Sequence, residues 1–215
     1  MTQRLLNGAE ASPEVFYIFV NQMNPMTEHN FKLSGQFPSG AFGGLSVPEF
    51  VSKYLDGTAR YLPYEPCHND LVGASPFLAG TINSYRVEYD AEVTRERFFS
   101  LYPSRLSALY AFGDYESCER VSKIYNWPLA TVRRFRLEPH PFNRVVKVNM
   151  EHVSVARHVY RSGQVDGAEG LWRSYWGGEA TYNARSPGRA FTPVEVVIPT
   201  LWEYLIEGVV VHIDR

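Results

Sequence analysis

Apolar and polar positions change their period several times along the chain. Residues 15–22, VFYIFVNQ, are aromatic and β-branched, which predicts a strand. From Asn24 to Leu45 the chain is rich in Gly, Ser and Pro, so a long functional or mobile loop is expected. Ser46 then opens a helix: its hydroxyl can cap the first turn, Pro48 fits early in that turn, and Glu49 completes a capping box. This helix should end near Gly57. Residues 60–80 are loop-like, and residues 82–89 alternate as a strand does. A helix is expected from Asp90 to Leu101, with Val93, Arg97 and Leu101 on one face, stopped by Pro103.

The second half continues with a strand over 104–112 and a helix from Tyr115 to Asn126, separated by Gly113-Asp114. Strands follow over 130–137 and 144–150, then helices over 153–161 and 168–176, the latter closed by Gly177-Gly178. A polar loop runs from Glu179 to Pro193. The apolar end of the chain holds two strand candidates, broken at Pro199 and Gly208. Strands and helices do not alternate regularly, so the class expected is α+β, in a single domain over residues 1–215.

Composition changes this picture little. The chain has 215 residues and a net charge of −2, which argues against a general phosphate-binding surface. Aromatics make up 14%, and such rigid, half-polar side chains suit binding grooves as well as cores. The two cysteines, Cys67 and Cys118, are read as reduced thiols. No apolar run has the length of a signal peptide or a membrane span, so no membrane is expected and the cytoplasm is the expected location. Phosphate-loop, dinucleotide-binding, zinc-protease, hydrolase and kinase signatures are absent. Cys67-His68 reads as a turn rather than a metal site.

Three segments stand out by their residues and their order. They are Tyr102-Pro-Ser-Arg-Leu-Ser-Ala-Leu-Tyr-Ala-Phe112, Trp172-Arg-Ser-Tyr-Trp-Gly-Gly178, and Trp202-Glu-Tyr-Leu-Ile-Glu-Gly-Val-Val-Val211. Together they resemble uncharacterised families of the ADP-ribosyltransferase superfamily. The late Glu strand is also similar to that of the DNA-modifying transferase toxins. The resemblance spans roughly residues 85–215.

The resemblance implies a split mixed β-sheet with peripheral helices that grips NAD as co-substrate. It also implies cleavage of the nicotinamide–ribose bond and transfer of ADP-ribose to a macromolecule, protein or nucleic acid. A toxin, effector or phage-conflict protein is the implied setting, with a neutralising partner protein. Water as acceptor would make the same site an NAD glycohydrolase, and a catalytically inactive binding or immunity module is a third outcome on the same fold.

The resemblance assigns the catalytic carboxylate to Glu203. Cleavage develops an oxocarbenium-like ribose, and a carboxylate that binds the sugar hydroxyl more tightly as that charge grows lowers the barrier. Thr200-Leu-Trp-Glu203 also matches a capping box, as does Thr192-Pro-Val-Glu195. Glu195 is the rival carboxylate. Glu207 is either the second carboxylate of a pair or a surface residue beside the Gly208 turn. Arg105, at the start of a strand, is expected to grip the pyrophosphate, with Ser104 and Ser107 donating to the cofactor or capping the strand. Tyr17, Phe19 and Asn21 on the first strand stand where the resemblance implies the adenosine-side contact, with Arg86 as the alternative. Tyr110, Tyr175 and Trp176 are candidates to stack on nicotinamide or adenine. Arg133, Arg134 and Arg136 can steer a phosphate backbone, although a solvated edge strand explains them as well.

Overall fold

The computed structural model describes residues 4–8, 10–20, 25–62, 70, 77–78, 84–161, 168–185, 193–197 and 199–214. The α+β class holds. Among the described residues every strand pairing is antiparallel, where mixed sheets were expected.

One sheet has four strands in the order β1 (Phe16–Phe19), β4 (Val132–Leu137), β9 (Val209–His212), β2 (Gln36–Pro38). A second has three: β3 (Leu109–Ala111), β8 (Trp202–Glu207), β5 (Arg144–Asn149). A separate ribbon joins β6 (Thr181–Arg185) to β7 (Pro193–Val197). Backbone connections join the two larger sheets. Tyr17 and Phe112 exchange backbone hydrogen bonds of 2.8 Å in each direction. Gly208 carries the chain from β8 in one sheet to β9 in the other. A Cβ at Gly208 would lie 2.6 Å from Leu137 Cδ1 and 2.9 Å from Asn143 Oδ1, so any side chain at the crossing forces those two to shift.

Strand β8 has a core on each face, because its side chains alternate. Tyr204 and Ile206 join Phe16, Ile18, Phe37, Phe135 and Val210 between the two sheets. Leu205 points the other way, into the layer of Val146, Val148, Leu171, Trp172, Tyr175 and Trp176. That second layer is roofed by helices α4 (Tyr85–Phe98), α6 (Glu151–Arg161) and α7 (Ala168–Gly177). Glu203 and Glu207 share the Leu205 face by the same alternation and are therefore buried under helices.

Several local expectations are corrected. The stretch 24–45 contains α1 (Pro25–Leu33), β2 and α2 (Gly40–Gly44) rather than one loop. Phe31 of α1 packs on Phe37 and Phe135, and β2 pairs with β9, contacts that local sequence does not reveal. The helix α3 (Pro48–Asp56) ends at Gly57 as expected, at φ 71°, but its cap residue is Val47, so the Ser46 box is not used.

The largest correction concerns Tyr85–Phe98, which form one helix where a strand and then a helix were expected. Its buried face carries Val87, Glu88, Ala91, Glu92 and Arg95, whereas Val93 is exposed. The hydrophobic period misses this face because half of it is charged. Residues 104–108 form a turn, leaving only Leu109–Ala111 as strand. The expected loop 179–193 contributes β6, whose partner β7 holds Glu195 opposite Asn183. Helix α5 (Tyr115–Tyr125) is capped by Asp114, which accepts from the Ser117 amide at 2.6 Å, and ends at Asn126 in the left-handed region.

Candidate functional site

The turn 104–108 is closed by backbone bonds from Ser107 and Ala108 to the Ser104 carbonyl. It delivers Arg105 between α4 and β8. There the guanidinium donates to Glu88 through Nε (2.7 Å) and Nη2 (3.2 Å), a two-point clamp. Its Nη1 donates to the Tyr175 hydroxyl of α7 and, at 3.3 Å, to Glu203 Oε1 of β8. The Tyr175 hydroxyl also donates to Glu203 Oε1, at 3.3 Å. Side-chain exposure is 5% for Arg105, 7% for Glu203 and zero for Glu88. Tyr110 and Tyr175 place their rings 5.2 and 5.3 Å from the guanidinium carbon, and the Tyr110 hydroxyl donates to the Arg105 carbonyl.

Glu203 thus has one oxygen held by two donors. Its other oxygen, Oε2, has no hydrogen-bond partner among the described residues. Burial pushes its carboxyl above the ordinary value, opposed first by the Arg105 charge and then by the Tyr175 hydrogen bond.

A second buried cluster lies four residues further along β8. Glu207 Oε1 accepts from the Ser104 amide at 3.1 Å and from the Ser107 hydroxyl. Ser104 Oγ donates to Glu92 at 2.8 Å, and Glu92 is paired with Arg95, both fully buried. Glu207 is buried rather than a surface residue beside the turn. Its carboxyl is raised by burial, opposed first by Arg144.

The structure brings Arg105, Glu203, Tyr110 and Tyr175 together. Ser104 and Ser107 give their hydroxyls to buried carboxylates, and Trp176 lies fully buried with its indole N–H on the Ala91 carbonyl at 3.0 Å. Arg105 occupies a turn instead of a strand start, and four of its five N–H donors face protein groups. A pyrophosphate grip through its fork is therefore not favoured. Tyr17 and Phe19 belong to a different packing cluster, with Phe112, Cys118 and Val121 around α5. Asn21 and Cys67-His68 lie outside the described residues. Arg86 stands on helix α4, paired with Asp90, so it does not mark a first NAD-binding strand. Glu203 is in a strand, so it is not the cap of a helix, and Glu195 lies in the separate ribbon.

Arg133, Arg134 and Arg136 lie on β4, an interior strand of its sheet rather than an edge. Arg134 pairs with Asp214 and Arg136 with Glu138. Cys118 is a buried free thiol. No helix among the described residues is long and apolar enough to cross a membrane.

Sequence reading missed Glu88, Glu92 and Arg95. Their spacing of four and three residues puts them on one helical face, and that signal was available once Tyr85–Phe98 is read as helix. No protein-family model and no curated protein matches the chain.

Proposed function

We propose that the chain is an NAD-cleaving ADP-ribosyltransferase in which Glu203 is the catalytic carboxylate. The observation that carries this is the asymmetry of Glu203: Oε1 is fixed by Arg105 and Tyr175, while Oε2 has no partner among the described residues. A carboxylate held this way is pre-organised to accept a ribose hydroxyl. Loss of nicotinamide breaks the C–N glycosidic bond and leaves positive charge on the ribose, which Glu203 stabilises in surroundings of low dielectric. The acceptor then bonds to that carbon and releases its proton. With a protein or nucleic-acid acceptor the product is a modified macromolecule, and with water it is free ADP-ribose.

Engagement of four of the five Arg105 N–H donors by protein groups favours a second function, a catalytically inactive binding or immunity module in which the buried ions only fix α4 and α7 on β8. Labelled NAD incubated with cell extract and either wild-type or Glu203→Gln protein separates these. Label on a macromolecule that depends on Glu203 supports transfer. Free ADP-ribose alone supports hydrolysis. Absence of turnover in both proteins supports the inactive module.

A further inference from the structure

We infer that Glu88 is the positioning residue of this site: its two-point clamp holds Arg105 where Nη1 and the Tyr175 hydroxyl fix one oxygen of Glu203 and leave the other for the ribose. The inference rests on the catalytic role proposed for Glu203. Its geometric basis is the chain Glu88–Arg105–Glu203, with contacts of 2.7 and 3.2 Å on one side and 3.3 Å on the other. Glu88 itself is fully buried, so it acts through Arg105 and does not touch the co-substrate.

Charge strengthens the argument. One guanidinium serves two buried carboxylates, so each carboxylate weakens the pairing open to the other. The groups that face Glu203 come from every neighbouring element: Arg105 from the turn, Glu88 from α4, Tyr110 from β3, and Tyr175 from α7. From α6, Arg157 acts on Tyr110, and the His152 ring sits 6.2 Å from that of Tyr175. Burial pushes the His152 imidazole down to about 4, so it is neutral at physiological pH and leaves Arg105 the charge that touches both acids. The like charge of Glu88 raises the carboxyl of Glu203, after burial and against Arg105.

The test is Glu88→Gln. Gln keeps an oxygen for Arg105 and removes the like charge. The side-chain carboxyl carbon of Glu203 is followed through a pH titration by nuclear magnetic resonance, its signal identified by its loss in Glu203→Gln. Its midpoint should fall in Glu88→Gln, and the acid limb of NAD cleavage should move down with it. A residue that supports the fold from outside this network would lower activity without moving either, and the positioning role itself is read from Glu88→Asp, which keeps the charge. An unmoved Glu203 midpoint overturns the clamp, whether or not NAD is cleaved. A wild-type protein that cleaves no NAD overturns the proposed function instead. Should Glu88→Gln fail to fold, Glu88→Asp keeps the charge and shortens the reach. The Glu203 midpoint should then hold while kcat falls several-fold with KM little changed. A fall in KM-dependent binding alone, with kcat intact, overturns the positioning role.

Discussion

Arg105 and Glu88 face each other as fork to fork, through Nε to Oε2 at 2.7 Å and Nη2 to Oε1 at 3.2 Å, with both side chains buried. Such a pair is rigid because the guanidinium and the carboxylate match in plane and spacing. It ties the turn after α4 to the helix itself, and through Glu203 it ties both to the central strand of the three-stranded sheet.

Removing the cation from this network leaves two buried carboxylates without their shared partner. Arg105→Met should destabilise the protein by about 3–5 kcal/mol. Chemical denaturation checks this, and a midpoint within error of wild type would show that the network carries little of the fold.

Tyr175 places its hydroxyl on both Arg105 and Glu203. Tyr175→Phe keeps the ring packed against Trp172 and Trp176 and deletes only those hydrogen bonds. A loss of about 1–3 kcal/mol is expected in the same measurement. An unchanged midpoint would mean that the hydroxyl is not part of the network.

Two opposite pH effects on stability are expected. The folded-state pKa of His152 is pushed by burial down to about 4. The unfolded chain therefore binds the extra proton, and stability falls as pH drops from about 6.5. The carboxyl of Glu207 is raised by burial, so the folded state holds its proton longer. Stability from this group is full below the ordinary Glu value and is lost as pH rises through the higher folded one. Glu207→Gln should thus raise the denaturation midpoint at pH 8 and change it little at pH 4. A variant equally affected at both pH values would contradict the assignment.

Gly208→Ala tests the crossing between the sheets. Its Cβ would meet Leu137 and Asn143 below 3.0 Å, and the Asn143 amide is already bonded to the Glu138 carbonyl at 2.7 Å. A loss of about 1–3 kcal/mol is expected by thermal or chemical denaturation. An alanine accepted without loss would show that the two sheets yield at this corner.

Elements whose signal is local were legible in the sequence. Phe16–Phe19 form a strand because they are β-branched or aromatic, and α5 starts at Asp114 because a short acidic side chain caps it. Residues 85–89 misled because Tyr85, Val87 and Tyr89 alternate, although the helix is held by charges at 88, 92 and 95 that no hydrophobic period registers. β2 and β6 were missed for other reasons. β2 is defined by a distant partner, Val209–Val211, and β6 pairs with the next strand, Pro193–Val197, but its polar residues read as loop. At the site, the order of three segments pointed to Arg105 and Glu203, which the fold places at 3.3 Å. Glu88 lies outside all three segments, and only packing brings it to Arg105.

Nicotinamide release from NAD reports the role of Glu203. Purified wild type is compared with Glu203→Gln and with Glu195→Gln, a substitution in strand β7 of the separate ribbon. Nicotinamide release should fall about 10²- to 10³-fold in Glu203→Gln and stay near wild type in Glu195→Gln. Equal release by wild type and Glu203→Gln, or a loss confined to Glu195→Gln, would contradict the account.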